Sequence, residues 1–84
     1  MGSLFKAVAD DTRREILRLL NEKELTPGQM AKNFNITRPG LSTHLKILLD
    51  ADLITFKKDK QERVYSINNE KIEKLVDYMN SLLG

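Results

Sequence analysis

Apolar residues recur at helical spacing along most of the chain. The spacing predicts a short helix over residues 3–9 and a second helix that ends near residue 22. Oxygen-bearing side chains at positions 10–12 suit the start of the second helix, where they can cap free backbone N–H groups. The inner stripe of this helix contains Ile16, Leu17 and Leu20. Its arginines fall outside that stripe and are expected in solvent: Arg13, Arg14 and Arg18.

Two further helices are predicted in the middle of the chain, separated by a short turn. The stretch Thr26-Pro27-Gly28-Gln29 combines a capping threonine, a proline in the first turn and a glutamine that completes a capping box. Asparagines at positions 33 and 35 then mark the turn. Thr37 begins the next helix, which ends near residues 51–52.

The last third of the chain predicts a β-hairpin followed by a helix. Residues 53–57 and 63–67 are the expected strands, and the polar residues 58–62 form the tip. Asn68 or Asn69 is expected to cap the final helix, whose apolar residues recur at i, i+3, i+4 and i+7. The expected fold is therefore mainly α with a small β-hairpin, built as a single domain over residues 1–84.

Composition excludes several classes of function. The chain has 84 residues, a net charge of +2, no Cys and one His. One imidazole cannot assemble a nucleophile–base pair or a metal cluster, so neither an enzyme nor a bound cofactor is expected. No apolar run approaches the roughly 20 residues that span a membrane. A small cytoplasmic binding protein is the expected class.

The central segment carries the candidate chemistry. Two helices joined by a turn of about four residues make a helix-turn-helix, whose second helix can enter the DNA major groove. Residues 30–49 contain no acid. The leucines of the second helix share one side, which is expected to face the core. Pro39, Thr43 and Lys46 fall near the opposite side. Gly40 and Ser42 lie at the shoulders between the two sides. Ser and Thr hydroxyls can bond base edges or phosphates, and Arg38 can reach guanine or phosphate.

Each of these features has a plainer interpretation. The outward face could be an ordinary solvated surface, and a lysine-rich hairpin tip is common at an exposed strand edge. His44 is expected to pack at the helix shoulder and to touch a phosphate rather than a metal. Asp10 and Asp11 are expected to cap a helix rather than to form an acid–base pair. The combination and order of the features favour DNA binding.

Several stretches resemble a known family. Residues 5–20 resemble the opening signature of the ArsR family of winged-helix repressors, and Leu41-Ser42-Thr43-His44-Leu45-Lys46-Ile47-Leu48 resembles its recognition helix. Residues 51–54 and 64–67 resemble the end of that helix and the second wing strand. The resemblance implies a winged helix-turn-helix homodimer that represses transcription at an inverted-repeat operator. A protein-interaction module and a nonspecific nucleic-acid binder remain the alternatives.

The resemblance also implies site residues. The DNA-binding positions are Thr37, Arg38, Pro39, Gly40, Ser42, Thr43, His44 and Lys46 on the recognition helix, and Lys57, Lys58, Lys60, Gln61 and Arg63 on the wing. The first and last helices would form the dimer interface through Leu4, Phe5, Val8, Ile72, Leu75, Val76, Met79, Leu82 and Leu83. A monomer that folds this apolar stripe onto its own core is the alternative.

Departures from the family pattern refine the expectation. Asp11 replaces the proline of the opening signature, Asp52 replaces the glycine at the recognition helix end, and the wing lacks its usual glycine. Residues 29–32 lack the Cys pair of metal-sensing members, and Asp77 on the last helix has no His beside it. The chain therefore most resembles the metal-independent, SdpR-type autorepressors. Operator, target genes and inducing signal stay open, and a partner protein or a membrane receptor could control the chain.

Overall fold

The computed structural model describes residues 2–83 and shows five helices and one β-hairpin. The elements follow in the order α1 (Gly2–Val8), α2 (Asp11–Glu22), α3 (Pro27–Ala31), α4 (Arg38–Asp50), β1 (Ile54–Asp59), β2 (Glu62–Ile67) and α5 (Asn69–Leu83). This order confirms the mainly helical chain with a hairpin before the last helix.

The predicted caps are in place. Asp10 accepts hydrogen bonds from the backbone N–H groups of Thr12 and Arg13, and Thr26 forms the full capping box with Gln29. Asn68 rather than Asn69 caps α5, because its Oδ1 accepts from the Lys71 N–H at 3.4 Å. Local sequence signals therefore place these three helix starts.

The turn between α3 and α4 is longer than predicted, because α3 ends at Ala31. Residues 32–37 separate the two helices. The Asn33 N–H bonds the Met30 carbonyl at 2.9 Å, and the Phe34 N–H bonds that of Ala31 at 3.4 Å. These tight turns satisfy the helix-end carbonyls without continuing the helix.

The hairpin strands reach closer to the tip than predicted. Asp59 pairs with Glu62, so only Lys60 and Gln61 form the turn. Lys60 has a φ of 60°, as does Asp52 after α4. This left-handed conformation usually favours glycine. The glycines usual in the family are missing at both places, and Asp52 and Lys60 adopt the conformation in their stead. At Asp52 the strained backbone is held by Asn68, whose Nδ2 donates to the Asp52 carbonyl at 2.8 Å.

The core lies where the four helices α1 to α4 and the base of the hairpin meet. Its fully buried large side chains are Ile16, Met30, Leu41, Leu48, Leu53 and Ile54. Leu25, between α2 and α3, pairs with Tyr65 through two backbone hydrogen bonds of 2.8 and 3.1 Å. This bridge fixes the base of the hairpin against the helix-turn-helix.

One arginine does not lie where the helical pattern placed it. Arg13, expected in solvent, is only 9% exposed. Its guanidinium lies under the end of α1, where Nε donates to the Ala7 carbonyl and Nη2 to the Lys6 carbonyl, both at 2.8 Å. The end of a helix leaves carbonyls without intrahelical partners, and these acceptors make the buried charge tolerable.

Leu4 is also corrected by the structure. It was expected at a dimer interface, but it is 3% exposed and belongs to the core of its own chain. Val8, Ile72 and Leu75 are half-buried against that core, so part of the predicted stripe packs within the chain. The outer residues of the stripe stay uncovered: Phe5, Val76, Met79, Leu82 and Leu83. Helix α5 has no buried residue.

Candidate DNA interface

The start of α4 is shaped by a threonine, a proline and a glycine. Thr37 caps the helix by accepting from the Gly40 N–H at 3.2 Å, and Pro39 occupies the first turn. A Cβ at Gly40 would lie 3.1 Å from Ile36 Cγ1, which is closer than packed side chains normally approach. Gly40 therefore lets the turn fold against the helix, and this half-buried residue contributes little side-chain surface of its own.

The outer face of α4 is polar and exposed, as predicted from the helical pattern. Ser42, Thr43 and Lys46 are exposed, whereas Leu41, Leu45 and Leu48 are buried. The Thr43 hydroxyl donates to the Pro39 carbonyl at 3.1 Å. Since its hydrogen is used within the helix, Thr43 offers an acceptor oxygen and a methyl group to a ligand.

A groove of about 390 Å³ separates α4 from the hairpin. Its polar lining is Arg38, Ser42, Lys46 and Arg63, and its apolar lining is Pro27, Leu45, Leu49 and Tyr65. A neighbouring groove of about 340 Å³ brings Arg38 together with Gln61, Glu62 and Arg63 from the hairpin. The tertiary fold thus gathers cations that are distant in sequence beside the exposed face of α4.

Arg63 is held by two aromatic side chains of the hairpin. Its Cζ lies 4.2 Å from the centroid of the Phe56 ring, and its Nη1 donates to the Tyr65 hydroxyl at 3.4 Å. Lys58 lies directly opposite Arg63 across the strands. Like charges at paired positions repel, so an anion beside the pair would relieve the repulsion.

The predicted wing residues do not share one face. Because side chains alternate along a strand, Lys57 lies on the opposite face of the hairpin from Lys58 and Arg63. Asp59 and Glu62 share the face of Lys57. Lys60 lies in the turn itself. The basic surface next to α4 is therefore narrower than the residue list in the sequence suggested.

His44 turns away from the outer face of α4. Its side chain is 19% exposed, with Nδ1 at 3.2 Å from Arg13 Nη1 and at 3.9 Å from Asp10 Oδ1. The backbone N–H of Arg13, above all, holds the pKa of the Asp10 carboxyl below its usual range. The expected shoulder position is correct, and the contact to Arg13 was missed because helical periodicity does not specify which residue lies across from a helix.

Sequence reasoning also missed a partner of Lys46. Lys46 Nζ lies 3.2 Å from Asp50 Oδ2, one helical turn later and just beyond the acid-free stretch. Both side chains are largely exposed. The i, i+4 spacing would have revealed this pair.

Residues 2–83 contain neither a metal centre nor a membrane-spanning helix. Within residues 2–83, no group of three or more His, Asp or Glu side chains is arranged to hold a metal ion. None of the helices described is both long and apolar enough to cross a bilayer.

Comparison with known proteins identifies the family. The profile described as "Bacterial regulatory protein, arsR family" matches residues 10–55. The chain is 39% identical to the transcriptional repressor SdpR of Bacillus subtilis, over all of this chain and 93% of that repressor. It is 34% identical to the arsenical resistance operon repressor of Staphylococcus xylosus, over 99% of this chain and 76% of that protein.

A solved structure extends the likeness to the whole fold. The crystal structure of an ArsR family transcriptional regulator superposes with a TM-score of 0.90 at 27% identity, and covers 98% of this chain and 90% of its own. The matched elements include α4 and the hairpin that flank the basic grooves. The chain belongs to the arsR family of bacterial regulatory proteins, and its winged helix-turn-helix fold is that of a transcriptional regulator and not of an enzyme.

Proposed function

We propose that this chain is a repressor that binds an inverted-repeat operator as a homodimer and regulates its own gene. One observation carries the proposal: the exposed polar face of α4 is bordered by grooves that hold Arg38, Lys46 and Arg63. A small polar face can approach base edges while cations beside it bind the phosphates. Ser42 and Thr43 would read bases, and the wing would follow the backbone through Lys58, Lys60 and Gln61.

The second copy is the occupant proposed for the uncovered stripe on α1 and α5. Phe5 packs on Tyr78 with ring centroids 5.8 Å apart, and both rings remain more than a third exposed. They continue the apolar surface of Val76, Met79, Leu82 and Leu83, while Val8, Ile72 and Leu75 support it from below. A two-fold axis through this surface would set the two recognition helices about 34 Å apart, one turn of B-DNA.

Metal sensing is not part of the proposal. The arsenical resistance named for the Staphylococcus xylosus relative belongs to that protein. The present chain has no Cys, and thiolates are the ligands by which soft metals are usually held. We expect arsenite, Cd²⁺ and Zn²⁺ to leave the operator complex intact. We further propose that the protein acts in the cytoplasm, as a single winged helix-turn-helix domain.

Footprinting on DNA upstream of its own gene, at several salt concentrations, tests the proposal. We expect protection of two half-sites related by a two-fold axis. We also expect a steep loss of affinity with salt, because a dimer that neutralises roughly 6–10 phosphates releases as many counterions. Equal binding to random DNA would indicate a nonspecific binder. A chain that binds no DNA at low salt would point instead to a protein-interaction module.

A further inference from the structure

Arg13 links the end of α1 to the recognition helix. Two of its nitrogens bond the carbonyls of Lys6 and Ala7, and its third, Nη1, lies 3.2 Å from Nδ1 of His44 on α4. The guanidinium is nearly buried, and its two carbonyl bonds fix where Nη1 points. The carbonyls of α1 therefore fix the position of Arg13, and Arg13 in turn fixes the orientation of the His44 ring.

The chemistry of this contact decides which ring nitrogen carries the proton. A guanidinium has only donors, so His44 Nδ1 must be the acceptor. A neutral imidazole that accepts at Nδ1 carries its proton on Nε2. The other group near Nδ1, the Asp10 carboxylate, is 3.9 Å away, which is beyond hydrogen-bonding distance.

The proton on Nε2 is available to a ligand. No buried side-chain nitrogen or oxygen in the described part of the chain lacks a hydrogen-bond partner. The ring bonds found for His44 involve Nδ1, so Nε2 is reached by solvent. His44 is partly exposed and belongs to α4, the helix proposed to bind DNA, although its ring lies to the side of the outer face.

We propose that Arg13 is a positioning residue for DNA binding. It orients the His44 ring so that Nδ1 accepts from Arg13 and Nε2–H donates to a phosphate oxygen of bound DNA. This inference rests on the proposed function. A neutral donor adds a hydrogen bond without adding a positive charge, so its contribution should differ in kind from those of Arg38 and Lys46.

The imidazole spectrum tests the role of Arg13 without DNA. His44 is the only histidine, so ¹⁵N NMR of the ring at pH 8 reports one residue. We expect an unprotonated Nδ1 and a protonated Nε2 in the wild-type chain. Arg13→Met keeps the apolar part of the side chain, and we expect it to give an averaged mixture of both tautomers.

Arg14→Met is the matched control. Arg14 also bonds the end of α1, through Nη1 to the Val8 carbonyl, but it is exposed and its other partner is Asp11 rather than His44. We expect the His44 spectrum of Arg14→Met to match the wild type. A protonated Nδ1 in the wild type, or an unchanged spectrum in a folded Arg13→Met chain, would overturn the role of Arg13.

Operator binding tests the phosphate contact. We expect His44→Phe to weaken binding roughly three- to tenfold, the range for a neutral hydrogen bond, with the slope of log Kd against log salt unchanged. His44→Gln, which keeps an N–H donor near the position of Nε2, should recover part of the loss. Adding Arg13→Met to His44→Phe should cost less than Arg13→Met costs alone.

The outcomes separate the two proposals. If the wild type does not bind its operator, the proposed function and the phosphate contact both fail, while the NMR result still decides the tautomer. If the wild type binds and His44→Phe binds equally well, only the phosphate contact is wrong. A shallower salt slope in His44→Phe would mean that His44 binds DNA as a cation, contrary to the proposal.

Discussion

At the scale of single residues, the local partner of a side chain decides what it can offer to DNA. Lys46 and Thr43 are both exposed on α4, but Lys46 is paired with Asp50 and the Thr43 hydrogen is used by Pro39. Arg63 is oriented by Phe56 and Tyr65. These contacts determine which of the polar residues can act as hydrogen-bond donors, as acceptors or as charges.

Asp50→Asn is expected to strengthen DNA binding about two- to fivefold at low salt, because it frees Lys46 and removes a negative charge beside the groove. The salt dependence should also become steeper. A mobility-shift titration measures both. Glu22→Gln makes the same change of net charge on α2, where Glu22 pairs with Arg18. An equal gain in that control would show that only overall charge matters.

Thr43→Ala is expected to change sequence preference more than salt dependence, because Thr43 offers an acceptor oxygen and a methyl group but no charge. Thr43→Ser keeps the oxygen and Thr43→Val keeps the methyl group, so together they separate the two contacts. Selection of binding sites from random DNA measures the preference. If Thr43→Ala loses the same affinity on operator and random DNA, Thr43 does not read bases.

At the scale of elements, short polar segments set where helices begin and how they are joined. Asp10 both caps α2 and lies beside the Arg13–His44 contact. Asn68 caps α5 and also holds the strained Asp52 backbone at the end of α4. The wing is attached through the backbone bridge between Leu25 and Tyr65 rather than through its tip.

Asp10→Ala should lower the free energy of unfolding by about 1 kcal/mol at neutral pH, the usual loss for a helix cap. The pKa of Asp10 is lowered in the folded chain, first by the Arg13 N–H. The ionised cap therefore stabilises the fold above the ordinary carboxyl range, and this contribution is lost as pH falls through the lowered pKa.

Urea denaturation at several pH values measures this difference. We expect the gap between wild type and Asp10→Ala to narrow steadily below about pH 4. Asp11→Ala, which removes an exposed acid from the same helix turn, should cost less at neutral pH. A gap that does not depend on pH would mean that the Asp10 charge is not what stabilises α2.

In the molecule as a whole, α5 is the helix that packs least against the rest of its own chain. It has no buried residue, yet it carries Val76, Met79, Leu82 and Leu83 on one side. Exposed apolar stripes of this kind commonly mark an association surface. The fold leaves this stripe and the basic grooves as two separate surfaces, and we propose that the first binds a second copy and the second binds DNA.

If the proposed dimer forms through α5, Met79→Glu is expected to convert it to monomer at micromolar concentration and to weaken operator binding by at least tenfold, because a charge would be buried in the interface. Met79 is half exposed in the single chain, so the fold should persist by circular dichroism. Ser81→Glu adds the same charge on the opposite face of α5 and should remain a dimer. Sedimentation measures the mass; a dimeric Met79→Glu would move the interface elsewhere.

Caps and helical periodicity act over a few residues, so the order of elements, the starts of α2, α3 and α5, and the exposed face of α4 could all be predicted from the amino-acid sequence. The folded chain was needed to show that Arg13 is buried, that Leu4 belongs to the core and that Lys57 lies apart from Lys58 and Arg63. These outcomes depend on which element lies across from each side chain. The carbonyls at the end of α1 and the pairing of the strands supply that information, and periodicity along one helix does not.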